Sequence, residues 1–185
     1  MKKLSMDELN RLSVEAFKEA KKNKVIAVLD NVRSMHNVGS VFRTADSFLI
    51  TAVMLCGYTP QPPHRDIHKT ALGATETVDW MYFENTADAV TALKQKGYKV
   101  YGIEQVDTSE KLDGRTFSGD EQIAVVFGNE VHGVAHEVLE ICDGIVEIPQ
   151  EGTKHSLNIS IAAGIVLWEA FKQVKKPEYK VLPAG

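Results

Sequence analysis

The sequence predicts an α/β domain with a mainly parallel sheet and helices on both faces. Three observations carry this. Short, continuously apolar runs rich in β-branched residues, such as 25–29 and 123–127, read as strands buried on both faces. These runs alternate with stretches of helical periodicity, as parallel strands joined by crossover helices require. Polar loops holding glycine or proline follow several of the strands, and ligands of such sheets sit beyond the strands' carboxyl ends. The 185 residues suffice for one sizeable core.

In chain order, Ser5 or Asp7 is placed to cap a helix over 5–22. Leu9, Leu12, Ala16, Phe17 and Ala20 give it one apolar face. The run 25–29 is the first strand, followed by a polar loop over 30–36. Asn37 is placed to cap a helix over 37–48. Residues 52–55 form the next strand, 57–68 a loop with three prolines, and 80–83 a further strand. A helix over 86–96 turns Ala89, Val90 and Leu93 inward and is closed by Gly97. Strands follow at 98–103 and 123–127. A helix over 134–141 leads into a strand at 145–148. The last helix spans 156–174 and is apolar for several turns, and Pro177 prevents its continuation.

Composition removes several function classes. No apolar run approaches the roughly 18 residues of a membrane span, and the N-terminus lacks the apolar core of a signal peptide. Cys56 and Cys142 lie far apart in apolar surroundings, which reads as two buried thiols without metal spacing or a disulfide framework. A cytoplasmic protein is expected. The net charge of −4 argues mildly against a nucleic-acid partner, but the charge is uneven. Residues 1–24 hold seven Lys/Arg against four acids, and residues 172–185 hold four lysines against one acid. Residues 104–151 hold twelve acids against two bases.

Three segments carry candidate chemistry. In the first, Asn37 can order the loop or touch a ligand. Arg43, six residues on, fits either a structural pairing with Asp46 or an anion-binding fork. The second, Phe127-Gly-Asn-Glu-Val-His-Gly133, places Glu130 between two glycines directly after a strand. There it can bind a ligand, clamp an arginine or sit in an ordinary turn, while His132 reads as a loop histidine. In the third, Ser156, Leu157 and Asn158 enter the apolar last helix. Ser156 alone would make a good cap; Asn158 fits neither cap nor core. No G-x-S-x-G elbow, phosphate-binding glycine loop or dinucleotide fingerprint is present, which weakens acyl transfer, nucleotide hydrolysis and dinucleotide redox chemistry.

Together, Asn37-x-Gly-x-x-x-Arg43-Thr-Ala, Phe127-Gly-Asn-Glu-x-x-Gly133, and Ile148-Pro with Ser156-Leu-Asn-Ile-Ser160 resemble the three ordered motifs of the SpoU (TrmH) family of RNA 2′-O-ribose methyltransferases. The resemblance runs from about Val25 to Ala170, and Lys69 to Thr77 resembles the family's segment between its first two motifs.

The resemblance implies the SPOUT fold, with a C-terminal deep trefoil knot built from the Ile103 region, the 127–133 loop and the 148–158 loop. It implies S-adenosylmethionine as cofactor, lined by Gly128, Glu130, Gly133, Ile148, Ser156, Leu157 and Asn158, with Gln105 added, and it implies no metal. Arg43, Asn37, Glu130, Ser156 and Asn158 become the catalytic set. The resemblance implies that Arg43 activates the ribose hydroxyl, either by binding the RNA phosphate and lowering the hydroxyl's pKa or by also taking its proton. The implied partners are a structured RNA, with tRNA favoured over rRNA because the chain has no separate RNA-binding domain, and a second copy of the chain. Residues 1–24 form an N-terminal helical extension, 25–174 the methyltransferase domain and 175–185 a basic tail. The rivals are rRNA methylation, a non-catalytic RNA-binding protein of the same fold, and a small-molecule enzyme with a generic α/β nucleotide site.

Overall fold

Alternate residues of β1 (Asn23–Asp30) feed two different cores, as expected of a strand covered on both sides. Val25, Ala27 and Leu29 pack with α2 (Met35–Ser47), α3 (Arg65–Ala71) and α7 (Ile159–Val174). Ile26 and Val28 pack with α5 (Thr86–Gln95) and α6 (His136–Leu139). The same alternation runs through β2 (Ile50–Cys56) and β6 (Gln122–Phe127). Fully burying one Val, Leu, Ile or Phe side chain contributes about 1.5–3 kcal/mol, so this two-faced pattern fixes the layering. The computed structural model behind this description covers residues 1–174 except Met6, Asn10, Ser118, Asp120 and His155. The basic tail expected over 175–185 lies outside the described residues.

The remaining strands are β3 (Asp79–Phe83), β4 (Tyr98–Ile103), β5 (Glu110–Lys111) and β7 (Gly144–Glu147). All seven join one sheet in the order β3-β2-β1-β6-β4-β7-β5, and each pair is parallel. The expected α/β class with a parallel sheet and helices on both faces is what forms. Register sets the site: Leu29 and Ile103 both lie opposite Phe127, and Ile103 lies opposite Val146. The carboxyl ends of β1, β6, β4 and β7 are therefore level, and the loops that leave them face one another.

Away from the candidate site, two local expectations fail. The N-terminal helix over 5–22 is instead a 3-10 turn at Asp7–Leu9 and a separate helix α1 at Val14–Glu19. Ser13 is extended, and its Oγ accepts from Ala16 N at 3.1 Å, so a cap stands where the helix was expected to continue. Phe17 is buried, whereas Leu9 and Leu12 are exposed. The 57–68 loop is shorter than expected because α3 begins at Arg65, with His64 capping it; α4 (Ala74–Thr77) follows. No helix among the described residues is long and apolar enough to cross a membrane.

Candidate active site

The loop after β6 doubles back on itself. Asn129 and Gly133 exchange backbone hydrogen bonds at 2.9 Å in both directions. A side chain on Gly128 would put its Cβ 2.0 Å from the carbonyl carbon of Gly133, so only glycine allows the return. Gly133 itself has φ +69, and the Glu104 carboxylate lies against it. Glu104, the first residue past β4, accepts from Val134 N at 3.0 Å and Gln105 N at 3.0 Å. The buried Asn129 closes the turn: its Oδ1 accepts from Val131 N and His132 N, and its Nδ2 donates to Asn31 O and Tyr58 OH.

Glu130, at the tip of this loop, reaches the start of α2. Its carboxylate accepts from Arg33 N at 2.9 Å, Ser34 N at 3.0 Å and Asn37 Nδ2 at 3.0 Å. A helix start has unpaired N–H groups and a partial positive charge, so a carboxylate suits it. Burial works to raise the pKa of Glu130, but the hydrogen bonds from Arg33 N, its own N–H, Ser34 N and the Asn37 amide outweigh this and hold it below the ordinary range. It is thus an ionised clamp on a helix terminus and clamps no arginine side chain.

α2 starts earlier than expected, because Ser34 and not Asn37 is its cap; Ser34 Oγ accepts from Asn37 N at 3.2 Å. Asn37 sits inside the first turn, almost buried, and its Oδ1 accepts from Asn158 Nδ2 at 3.2 Å. α7 in turn starts later than expected, at Ile159. The cap there is Asn158, whose Oδ1 accepts from Ser160 N at 2.8 Å and whose carbonyl accepts from Ala162 N at 2.9 Å. Ser156 lies outside the helix, and its hydroxyl has no partner among the described residues. One chain of hydrogen bonds, Asn158 to Asn37 to Glu130, therefore ties the three sequence segments together.

The 127–133 and 148–158 loops line an open cavity of about 520 Å³ beyond the ends of β4, β6 and β7, and Asn37 backs it without lining it. All of Gly128, Glu130, Gly133, Ile148, Ser156, Leu157 and Asn158 line it, and so do Gln105 and Glu104. Arg43 does not. It is exposed on α2, about 120° around the helix from Asn37, and its guanidinium has no ion-pair partner among the described residues. Asp46, its alternative partner, instead accepts from Thr77 Oγ1. Glu104 and Asn129 were not singled out from the sequence. The signal for Glu104 was its place one residue beyond a buried strand; for Asn129 it was the step between a glycine and the clamp carboxylate. Among the described residues no group of three or more His, Cys, Asp or Glu is placed to hold a metal.

Residues 24–168 match the family model described as the SpoU rRNA Methylase family. The chain belongs to that family. A similar curated relative is the 23S rRNA (guanosine-2′-O-)-methyltransferase RlmB of Nitrosomonas europaea, 36% identical over 80% of this chain and 56% of that protein. Another is a putative TrmH family tRNA/rRNA methyltransferase of Staphylococcus haemolyticus, 29% identical over 86% of this chain and 63% of that protein. The chain thus spans less than two thirds of the length of these relatives. Among solved structures, the TrmH/SpoU tRNA modifying enzyme of A. aeolicus superposes with a TM-score of 0.75 at 26% identity, covering 86% of this chain and 79% of that one. An AdoMet-bound rRNA methyltransferase from Sinorhizobium meliloti superposes with a TM-score of 0.76 at 26% identity, covering 86% of this chain and 61% of that one. In this SpoU family member, the matched region takes in all three motif segments, of which the second and third line the cavity.

Proposed function

We propose that the chain transfers a methyl group from S-adenosylmethionine to a ribose 2′-hydroxyl of RNA. The observation that carries this reading is the hydrogen-bond chain Asn158–Asn37–Glu130, which ties the two loops lining the cavity at the strand ends to the start of α2. The cavity suits the cofactor. Its size is in the range of small-molecule sites, about 300–1,000 Å³. Gly128 lets backbone approach the ligand, Ile148 and Leu157 offer apolar wall, and Glu104, Glu130 and Glu147 face it with negative charge, which favours a cationic sulfonium and ammonium. When bound, S-adenosylmethionine supplies an electrophilic methyl group.

The chain's own residues then position and polarise. In-line attack needs the ribose oxygen about 3 Å from the methyl carbon. Ser156, whose hydroxyl has no partner among the described residues, orients the ribose or the cofactor at the cavity. Asn37 and Asn158 hold the walls that define the angle of approach. Arg43 anchors an RNA phosphate and lowers the pKa of the neighbouring hydroxyl by its charge.

Arg43 lies outside the cavity of its own subunit, so we assign it to the cavity of a second copy. The exposed stripe Ile161, Ile165 and Trp168 on α7 is the surface for that homodimer. The knot belongs to the same proposal. Gln173, near the end of α7, accepts from Phe117 N and donates to Arg115 O, so the segment before β6 lies across the end of the last helix. The 23S rRNA substrate in the name of the 36% identical relative now makes rRNA the first substrate to assay. Incubation with methyl-labelled cofactor and either rRNA or tRNA, followed by nucleoside analysis, tests both. Arg43→Ala should abolish transfer and leave cofactor affinity within about twofold, a change near 0.4 kcal/mol. Full activity in that variant sinks the assignment of Arg43.

A further inference from the structure

We propose that a second cavity, between α3 and β3, receives an unstacked nucleobase of the RNA substrate, one that lies outside the methylated nucleotide. The inference rests on the RNA-methylation reading. The cavity is about 490 Å³ and shares no lining residue with the first. Its walls are mostly apolar and include a large ring: Pro62, Pro63, Ile67 and the half-buried Trp80. Arg65 and His68 stand exposed at its edge, and neither side chain has a hydrogen-bond or ion-pair partner among the described residues. Lys69 does not count toward this charge, because Asp66 holds it at 2.8 Å.

Placement links the cavity to the reaction. α3 docks on the first turns of α2: Thr70 Oγ1 donates to His36 O at 3.0 Å, and a Cβ on Gly39 would lie 2.3 Å from Ile67 O. That part of α2 is the part clamped by Glu130 at the methyl-transfer cavity. α3 thus sits beside the part of α2 that Glu130 ties to the first cavity, which puts the second cavity in reach of an RNA bound there.

The chemistry selects a base over a phosphate. An aromatic ring beside prolines offers stacking, the usual way proteins hold single-stranded bases. Glu76, also exposed, lines the cavity as well; its carboxylate disfavours a phosphate there and offers an acceptor to a base amine. Arg65 and His68 are left to meet the backbone phosphate outside.

Trp80 and Trp168 are the two tryptophans of the chain, so in a Trp168→Phe background fluorescence reports on Trp80 alone. The probes are an eight-residue oligoadenylate and an abasic oligoribonucleotide of the same length and charge. The base-bearing probe should quench Trp80 and bind about tenfold more tightly than the abasic one, as one stacked base implies. Arg65→Gln with His68→Gln, both at exposed positions, should raise the RNA KM about fivefold or more, with kcat and cofactor affinity unchanged. Equal affinity for the two probes, or an unquenched Trp80, assigns the cavity to another occupant and overturns the proposal. So does an unchanged KM in a double variant that still methylates RNA, an outcome that leaves the reaction itself standing. If quenching and base preference appear while the wild-type chain methylates neither rRNA nor tRNA, the pocket is supported and the methylation reading falls.

Discussion

Replacing Glu130 by glutamine separates a clamp from a catalyst. The carboxylate accepts three hydrogen bonds, from Arg33 N, Ser34 N and Asn37 Nδ2, all at 2.9–3.0 Å. Glutamine keeps one acceptor oxygen and turns an N–H₂ group toward donors. A hydrogen bond to a charged group is worth about 1.5–3 kcal/mol, and charge at a helix start about 0.3–1 kcal/mol. Glu130 is solvent-exposed, so a net loss of about 1–2 kcal/mol is expected. For a domain of this size that lowers Tm by about 2–8 °C, at about 2–4 °C per kcal/mol. The pH dependence fixes the cause. Glu130 titrates below its ordinary 4.5 in the folded chain, because the donated hydrogen bonds outweigh the burial that would raise it. A lowered folded pKa contributes stability that is present above the unfolded value and lost as pH falls through the folded one. The gap between wild type and variant should be full at pH 7 and should close below about pH 4. Thermal melts across that range, with methyl transfer and cofactor affinity measured in parallel, form the assay. Equal melting temperatures at pH 7 refute the clamp. A variant with native stability and native cofactor affinity but no turnover would reassign Glu130 to proton transfer.

Other expected outcomes follow from contacts elsewhere. Gly128→Ala drives a Cβ to 2.0 Å from the Gly133 backbone; cofactor affinity measured by calorimetry should fall more than about tenfold, since the wall must move. Gly39→Ala pushes α3 away from α2, where the Cβ would meet Thr70 Oγ1 at 2.1 Å and Ile67 O at 2.3 Å. Denaturant unfolding should show a loss of about 1–3 kcal/mol, as for other overpacked sites. Ile165→Asp, on the exposed stripe of α7, should leave the monomer fold intact by circular dichroism and shift the sedimentation profile to monomer, with methyl transfer lost.

The strands were legible because burial on both faces leaves a continuous apolar run: the expected strands at 25–29, 98–103 and 123–127 form within two residues of their predicted ends. Helix starts were not. Ser34 and Asn37 are both good caps in isolation, and the choice is made by Glu130, 93 positions away from Asn37 in sequence. Ser156 and Asn158 compete in the same way, and Asn158 caps α7 while its amide also reaches Asn37, 121 positions away. The split at Ser13 was hidden because Leu9 and Leu12 keep helical spacing yet stay exposed. In the sequence Glu104 is one more acid of the acidic middle region; its place against Gly133 is set by the fold. Local propensity cannot rank equal caps; long-range hydrogen bonds do.

The polar groups of the candidate site divide into two sets, and the division constrains the chemistry. Asn37, Glu130, Asn158 and Asn129 have their amides or carboxylates committed to backbone and to one another. Freeing any of them for proton transfer would open a loop that forms the cavity wall. Ser156 and Arg43 are the members of the expected catalytic set whose side chains have no partner among the described residues. A serine hydroxyl is a weak base, and a guanidinium stays protonated in proteins. Neither is suited to abstract a proton outright. Under the proposed methyl transfer, catalysis would come from alignment and from the field of a cation beside the nucleophile, and it should therefore respond to charge more than to hydrogen-bonding shape. Arg43→Lys keeps the charge and loses the fork. Under this argument it should retain measurable methyl transfer where Arg43→Ala retains none. Equal inactivity of the two variants would show that the fork geometry, and not the charge, carries the role of Arg43.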